Sequence, residues 1–417
     1  MKDLKVGYLV SEFPKLSETF VRDEIKEHLK HHLDVIVISL RQARQDALSN
    51  EEGRIAGVSV ENVFAKHRWA YLLEQIKLVT LSLATIPAVW RVVVGRGYGR
   101  LSERISILAL AYRLRQIEAR RRLDVLHCHF GRQGRYAAIL RQIGLLQAKI
   151  VTTFHGFDIS STVVSRGKDH YDVLFKHGDL FLPISEYWAR GLRELGCDPG
   201  RIIVHHMGVD CTANGYNPRR PGSNDTVRLI SIGRFVEKKG HQYTLRALAA
   251  LRARRPDLPI SFDLIGDGPL KSQMVAEAGA LGLDEVVTFH GALEHSATLA
   301  LLNRASIFVL PSVTSADGDM EGIPVSLMEA MARGMPVIST FHSGIPELVE
   351  DGQSGLLVPE RDANALAQAM EQMIDGAPDW TRFGMAARHK VEAEFNRRAL
   401  GQRLVEIYRF LLPQPAG

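Results

Sequence analysis

Cysteine is scarce. Cys128, Cys197 and Cys211 stand far apart in 417 residues and form no CxxC pair. Neither a disulfide framework nor a zinc knuckle is indicated, which suits a reducing compartment. Long apolar runs are lacking too. The longest uncharged stretch, Leu78 to Trp90, is interrupted by Pro87 and falls short of the about 20 residues that span a bilayer. No secretory pattern precedes the first apolar segment, Val6 to Val10. A cytoplasmic chain, or one peripheral to the inner face of the cell membrane, is expected. No aromatic stacking platform accompanies the basic residues, so nucleic acid is not an expected partner.

What is present reads as a soluble α/β protein, 46% apolar and 24% charged, and long enough for two domains. Short apolar and β-branched runs alternate with helical patterns. In the first half the runs are Val6–Val10, Val35–Leu40, Val125–Cys128, Ile150–Phe154 and Leu180–Ile184. In the second they are Arg228–Ile232, Ser261–Ile265, Val286–Phe289, Ile307–Leu310 and Pro336–Ser339. This pattern predicts two doubly wound, Rossmann-like parallel sheets covered on both faces. A polar, turn-rich seam at 214–225 divides them into domains 1–213 and 226–390. Ligands are then expected in the cleft between the carboxyl ends of the two sheets.

Charge is uneven. Net charge is +5, yet residues 91–122 hold nine arginines against Glu103 and Glu118, a local excess of seven. This stretch follows the apolar segment Trp69–Val94. An apolar face beside cations is the composition of a helix lying on an anionic membrane, so 69–122 is a candidate inner-membrane contact. A core helix with solvated arginines is the alternative reading.

Three constellations fall at strand ends. Glu321 and Glu329 flank the segment Gly322-Ile323-Pro324, where Pro324 suits the first turn of a helix and Gly334 its end. A helix start offers N–H groups to a phosphate, and the carboxylates can hold hydroxyls of a sugar or ribose. Arg234 and Lys239 follow the run Arg228–Ile232, where two cations can clamp a diphosphate; Lys238 beside them reads as surface charge. His155, followed by glycine, ends the run Ile150–Phe154. Gly266 and Gly268 make a tight turn that lets backbone approach a nucleotide base.

Two patterns invite a metal. His127 and His129 share one strand face, but no further ligand set is apparent. Asp317-Gly318-Asp319 imitates a cation-binding Asp-x-Asp but sits in a glycine-bearing loop, so loop chemistry is the preferred reading. No metal site and no cofactor are expected.

The Glu321-to-Glu329 segment, Gly233-Arg234-Phe235-Val236-Glu237-Lys238-Lys239-Gly240, Gly266-Asp267-Gly268-Pro269 and Gly344-Ile345-Pro346-Glu347 resemble the retaining GT-B glycosyltransferases of family 4. Ser11-Glu12-Phe13-Pro14, His127-Cys128-His129-Phe130-Gly131 and Phe154-His155-Gly156-Phe157-Asp158 are similar to a narrower group, the colanic-acid-type enzymes of bacterial exopolysaccharide synthesis. The resemblance implies a GT-B fold whose C-terminal helix, within 391–417, returns to the first domain. It implies phosphate contacts for Arg234 and Lys239, ribose contacts for Glu329, and sugar positioning by Glu321 and His155. It implies a UDP- or GDP-linked hexose donor, transfer with retention, and an acceptor carried on polyprenyl pyrophosphate. The usual glycine-rich loop after the first strand is replaced by Pro14-Lys15-Leu16-Ser17-Glu18-Thr19, in which Ser17 can cap the next helix. Ser17, Glu18 and Asp158 are acceptor-side candidates, Asp158 alternatively orienting its own loop. The rival readings are a nucleotide-sugar epimerase on the same scaffold and a non-enzymatic anion-binding protein.

Overall fold

The computed structural model describes residues 4–15, 18–43, 55–64, 92, 98–213, 215–219 and 226–412. Two six-stranded sheets dominate. The first holds β1 (Lys5–Phe13), β2 (Asp34–Gln42), β3 (Ser59–Asn62), β4 (Val125–His129), β5 (Lys149–Phe154) and β6 (Leu180–Pro183), in the order β3-β2-β1-β4-β5-β6. The second holds β7 (Val227–Ile232), β8 (Ile260–Ile265), β9 (Val287–Gly291), β10 (Ile307–Val309), β11 (Val337–Thr340) and β12 (Leu356–Val358), in the order β12-β11-β10-β7-β8-β9. Every strand pair within them is parallel. Numbered within its own domain, each sheet has the same doubly wound order, so the strand order reverses beside β1 and β4 in one and beside β7 and β10 in the other. Those reversals open the crevices where such folds bind ligands.

Buried β-branched and leucine side chains explain the parallel sheets: Val35 to Leu40 are all buried, as are all three residues of β10. The strands depart from the sequence reading in number and in length. β3 and β12 are extra, and both are short; β3 carries one apolar residue, Val60, which is exposed, so no burial pattern marks it. β1 and β2 run past Val10 and Leu40 because they pair as far as Phe13 with Gln42.

The domains share their last elements. The helix Trp380–Glu394 buries Ala387 and Val391 in the second domain's core. The next helix, Arg397–Leu411, buries Leu404, Val405, Ile407 and Tyr408 against Val6, Tyr8, Ile25 and Val37 of the first. Arg397 fixes the crossing, donating to Asp23 at 2.8 Å and Asp210 at 2.9 Å.

The arginine-rich stretch is largely internal where it is described. The helix Leu101–Arg120 buries Ile107, Leu110, Leu114 and Ile117 in the first domain's core. Arg113 and Arg120 pair with Glu61, Arg121 pairs with Asp34, and Arg104 donates to the Gly99 carbonyl. For 98–122 the core-helix alternative therefore describes the packing, and Arg100, Arg115 and Arg122 are exposed. Residues 69–91 and 93–97 lie outside the described residues. Among the described residues no helix is long and apolar enough to cross a membrane.

Candidate active site

The strand-order reversal beside β7 and β10 collects the second domain's candidates. After β7 the chain turns through Gly233 and Arg234 into a short 3-10 turn, Glu237–Lys239. After β10 it runs through a loop to Glu321 and then the helix Val325–Ala332. Lys239 Nζ donates to Glu321 Oε2 at 3.0 Å. Glu321 is buried; burial raises its carboxyl, but Lys239 and Lys238 outweigh that and hold it at about 2. Its backbone N–H donates to His342 Nε2 at 3.0 Å, so His342 must carry its proton on Nδ1, which meets Glu360 at 2.6 Å. His342 and Glu360 thus pin the backbone of Glu321. The guanidinium of Arg234 is exposed and takes part in no hydrogen bond or ion pair among the described residues.

Several sequence readings need correction here. Lys238 is not surface charge: Nζ lies 3.0 Å from Asp319 and 3.7 Å from Glu321 Oε1. That ion pair also occupies Asp319, while Asp317 accepts from the Asp319 N–H at 3.0 Å, which is loop chemistry. Pro324 is the N-cap residue, one position before the helix, with extended ψ rather than helical geometry. Ser326 Oγ, passed over in the sequence, donates to the Ile232 carbonyl at 2.9 Å and ties the helix to the end of β7. Gly266 has φ of +143°, and a Cβ there would lie 1.9 Å from the Gly233 carbonyl oxygen; at Gly268 it would lie 2.5 Å from that of Phe235. These glycines therefore let their turn pack on the Arg234 loop, a closer need than approach to a base. Glu329 is half-buried on the helix Val325–Ala332.

The first domain presents His155 at the end of β5. Its ring lies 4.6 Å from Phe20 and 4.5 Å from Phe130 between centroids, and Nε2 meets His129 Nδ1 at 3.1 Å. Phe130 holds a φ of +74°, a strained conformation for a bulky side chain, directly beside this ring. Asp158 takes up the loop-orienting place that its alternative reading gave it. Its carboxylate accepts from the backbone N–H of His155, Gly156 and Gly131 at 2.9, 3.1 and 2.8 Å, clamping the loops after β4 and β5 together. Glu18, not Ser17, holds the N-cap position of the helix Thr19–Lys30; it makes no cap bond and its side chain pairs with Lys15. Ser17 lies outside the described residues. The histidine pair on β4 gains a neighbour the sequence did not reveal: Glu24, with ligand-type atoms of all three within 4.8 Å. Both ring nitrogens of His127 are already engaged, with Thr153 at 2.7 Å and Tyr408 at 2.5 Å, so the group is organised as a hydrogen-bond network.

The two halves of the site face each other. A Cβ on Gly322 would lie 2.8 Å from the His155 carbonyl oxygen, so only glycine lets these loops meet. Glu347 reaches from the second domain to the first, accepting from the backbone N–H of Glu186 at 2.8 Å and Tyr187 at 2.9 Å. These are free N–H groups at the start of the helix Glu186–Glu194, where a carboxylate is stabilised by the helix dipole. His155, Gly322, Glu321, Lys239 and Arg234 therefore come together at the cleft, as one surface able to hold a sugar beside a cationic phosphate site.

Comparison with known proteins bears on the family and the fold. Residues 17–213 match the family described as Glycosyltransferase Family 4, and residues 217–390 match Glycosyl transferases group 1. WcaL of Salmonella typhimurium, assigned as a colanic acid biosynthesis glycosyltransferase, is 36% identical over 97% of this chain and 99% of its own. The amylovoran biosynthesis glycosyltransferase AmsK of Erwinia amylovora is 34% identical over 97% of this chain and 99% of its own. Among solved structures, a glycosyltransferase from Rickettsia africae superposes with a TM-score of 0.71 at 18% identity, covering 99% of this chain and 100% of that one. Anabaena Alr3699/HepE in complex with UDP-glucose gives 0.72 at 17%, covering 98% and 100%. These last two speak for the GT-B fold. With both domain matches in sequence order and similarity over nearly the full length to two exopolysaccharide enzymes, the chain belongs to the glycosyltransferases that join a family 4 domain to a group 1 domain.

Proposed function

We propose that this glycosyltransferase moves a hexose-type sugar from a UDP- or GDP-linked donor to a lipid-linked glycan intermediate of exopolysaccharide synthesis, with retention at the anomeric carbon. The observation that carries the donor assignment is the pair of half-buried Lys239 with buried Glu321, beside the exposed Arg234, at the reversal between β7 and β10. Arg234 and Lys239 stabilise the departing diphosphate, helped by the helix start near Ile323 and Pro324. Glu329 holds the ribose hydroxyls. Glu321, its backbone pinned by His342, and His155 position the sugar. No enzymic nucleophile is required if the leaving phosphate oxygen takes the acceptor proton on the same face of the sugar. Cationic side chains supply the charge that a divalent metal would otherwise bring, so the reaction is metal-independent.

The acceptor assignment draws on the relatives named for colanic acid and amylovoran synthesis. Exposed Arg100, Arg115 and Arg122 are the described arginines of the basic stretch offered to an anionic inner-membrane surface. A panel of UDP- and GDP-sugars, offered with and without a polyprenyl-pyrophosphate glycan and read by mass spectrometry, tests both halves. Nucleoside diphosphate release coupled to a heavier lipid glycan is expected. An epimerised sugar nucleotide, or turnover indifferent to every lipid acceptor, contradicts the reading.

A further inference from the structure

The segment 342–347, just after β11, touches both sides of the cleft. At one end His342 accepts from the Glu321 N–H at 3.0 Å. At the other, Glu347 accepts from the backbone N–H groups of Glu186 and Tyr187 of the first domain, at 2.8 and 2.9 Å. Between them, a Cβ on Gly344 would lie 2.9 Å from Ile323 Cγ1 and 2.9 Å from Ser185 Cβ, so bare backbone fills the gap between the Glu321 loop and the first domain. Ser343 holds a φ of +48°, a left-handed conformation costly for a side chain, and such strain persists only where the surroundings fix it.

The contact at Glu347 calls for a carboxylate. The helix Glu186–Glu194 begins with N–H groups that have no partner inside it. Ser185 Oγ accepts from that of Trp188 at 3.2 Å, and the two Glu347 oxygens take those of Glu186 and Tyr187, one each. The helix dipole favours negative charge at this point. His206, also of the first domain, stands 3.4 Å from Glu347 Oε2. When the domains part, these N–H groups turn to water, and 342–347 keeps its second-domain anchors alone.

We infer that Glu347 is a positioning residue, a clasp that holds the first domain against 342–347 and so makes the placement of Glu321 depend on a closed cleft. This rests on Glu321 lying in the donor site. His342 carries the coupling, because the segment that reaches the first domain through Glu347 is the one that holds the Glu321 backbone. Glu321 is then fully set when the first domain, with His155, is in place across the cleft.

The test is pulsed electron paramagnetic resonance on the full-length protein, alongside steady-state kinetics. Spin labels go on Lys168→Cys and Gln273→Cys, one exposed position in each domain; the native cysteines are all buried. Glu347→Ala is expected to lengthen or broaden the label-to-label distance and to lower kcat about 10-fold, the scale of hydrogen bonds to a charged group. Affinity for UDP or GDP, whose proposed contacts all lie in the second domain, should stay within about twofold. Glu347→Gln keeps one good acceptor oxygen and should fall in between. Glu186→Pro removes one donor from the opposite face, at a first helical position that tolerates proline. It should also lower kcat, and add little on top of Glu347→Ala, where the acceptor is already gone. Additive losses, or an unchanged distance or kcat in Glu347→Ala beside an impaired Glu321→Gln, overturn the clasp. An unimpaired Glu321→Gln sinks the reading of the donor site itself.

Discussion

Lys239 Nζ and Glu321 Oε2 meet at 3.0 Å although 82 positions separate them in the chain. The pair joins the loop after β7 to the loop after β10, the two strands beside which the sheet order reverses. A half-buried cation held by a buried carboxylate is already partly desolvated and oriented. It can answer the charge that develops on a departing diphosphate without reorganising.

Removal of that charge should slow the chemical step. Lys239→Ala and Arg234→Ala are each expected to cut turnover at least about 100-fold, the scale seen when a donor to developing charge is lost. Lys239→Ala also leaves Glu321 with Lys238 alone at 3.7 Å, so folding should be checked by thermal melting in parallel. The same reasoning predicts activity in EDTA. Near-normal turnover by both folded variants, or a full loss in EDTA restored by Mg²⁺, would remove the cations from this role and reopen Asp317 and Asp319 as metal ligands.

Glu329→Gln keeps the shape of the side chain on the helix Val325–Ala332 but leaves one good acceptor in place of two. A clear loss of affinity for free nucleoside diphosphate, about 10-fold or more, is expected from a hydrogen bond to a charged group. Isothermal titration calorimetry measures it. Unchanged affinity would take Glu329 off the ribose.

Much of this was legible in the sequence where chemistry and secondary structure coincide. Glycines and prolines mark the turns, β-branched runs mark the strands, and polar residues just beyond those runs mark the cleft. Hence Arg234, Lys239, His155 and Glu321 could be placed at strand ends. What escaped depends on partners distant in sequence. Lys238 looks like its neighbours until Asp319 is brought beside it, 81 positions on. His342 gives no hint that its ring holds the backbone of Glu321, and Glu347 none that it caps a helix of the other domain. Glu24 reads as one more helix-face acid until the fold sets it against β4. The arginines of 98–122 look alike in composition, yet ion pairs to Glu61 and Asp34 hold three of them in the domain.

Acid should destabilise the protein well above the ordinary carboxylate range. Burial pushes His28 and His205 down to about 4 and His241 down to about 3, from 6.5. Below about pH 6.5 the unfolded chain therefore binds protons that the folded chain refuses, and stability falls as pH falls. Asp158 acts in the other sense. Burial, opposed by the backbone N–H groups it accepts from, lifts it to about 6 from 3.8, so between those values the folded state holds one proton more. Three histidines outnumber one carboxyl, and the net change should be a loss of several kcal/mol between pH 7 and pH 4.5. Glu321, held at about 2 from 4.5, adds its own loss below about pH 4.5. Urea unfolding at pH 7, 5.5 and 4.5 reads this directly, and a midpoint that does not move between 7 and 5.5 would contradict it.

The basic stretch separates a membrane-docked enzyme from one that meets its acceptor in solution. Each basic residue near an anionic surface contributes about 1 kcal/mol. Replacing Arg91, Arg96, Arg100 and Arg115 together should therefore weaken co-sedimentation with anionic liposomes at low salt, while neutral liposomes or high salt should abolish it for the wild type. Arg113, Arg120 and Arg121 are left alone in this design because Glu61 and Asp34 hold them in the domain. A wild-type protein indifferent to anionic liposomes at low salt would favour a soluble acceptor.

The anomeric configuration of the first-formed product tests the central claim most directly. Proton NMR can follow the transferred sugar from an α-linked nucleotide donor to the acceptor as the reaction proceeds. Same-face displacement, with Arg234 and Lys239 holding the leaving diphosphate and no enzymic nucleophile, predicts an α-linked product from the earliest time points, alongside one nucleoside diphosphate per sugar moved. A β-linked product, or consumption of the donor with no sugar on the acceptor, would contradict it.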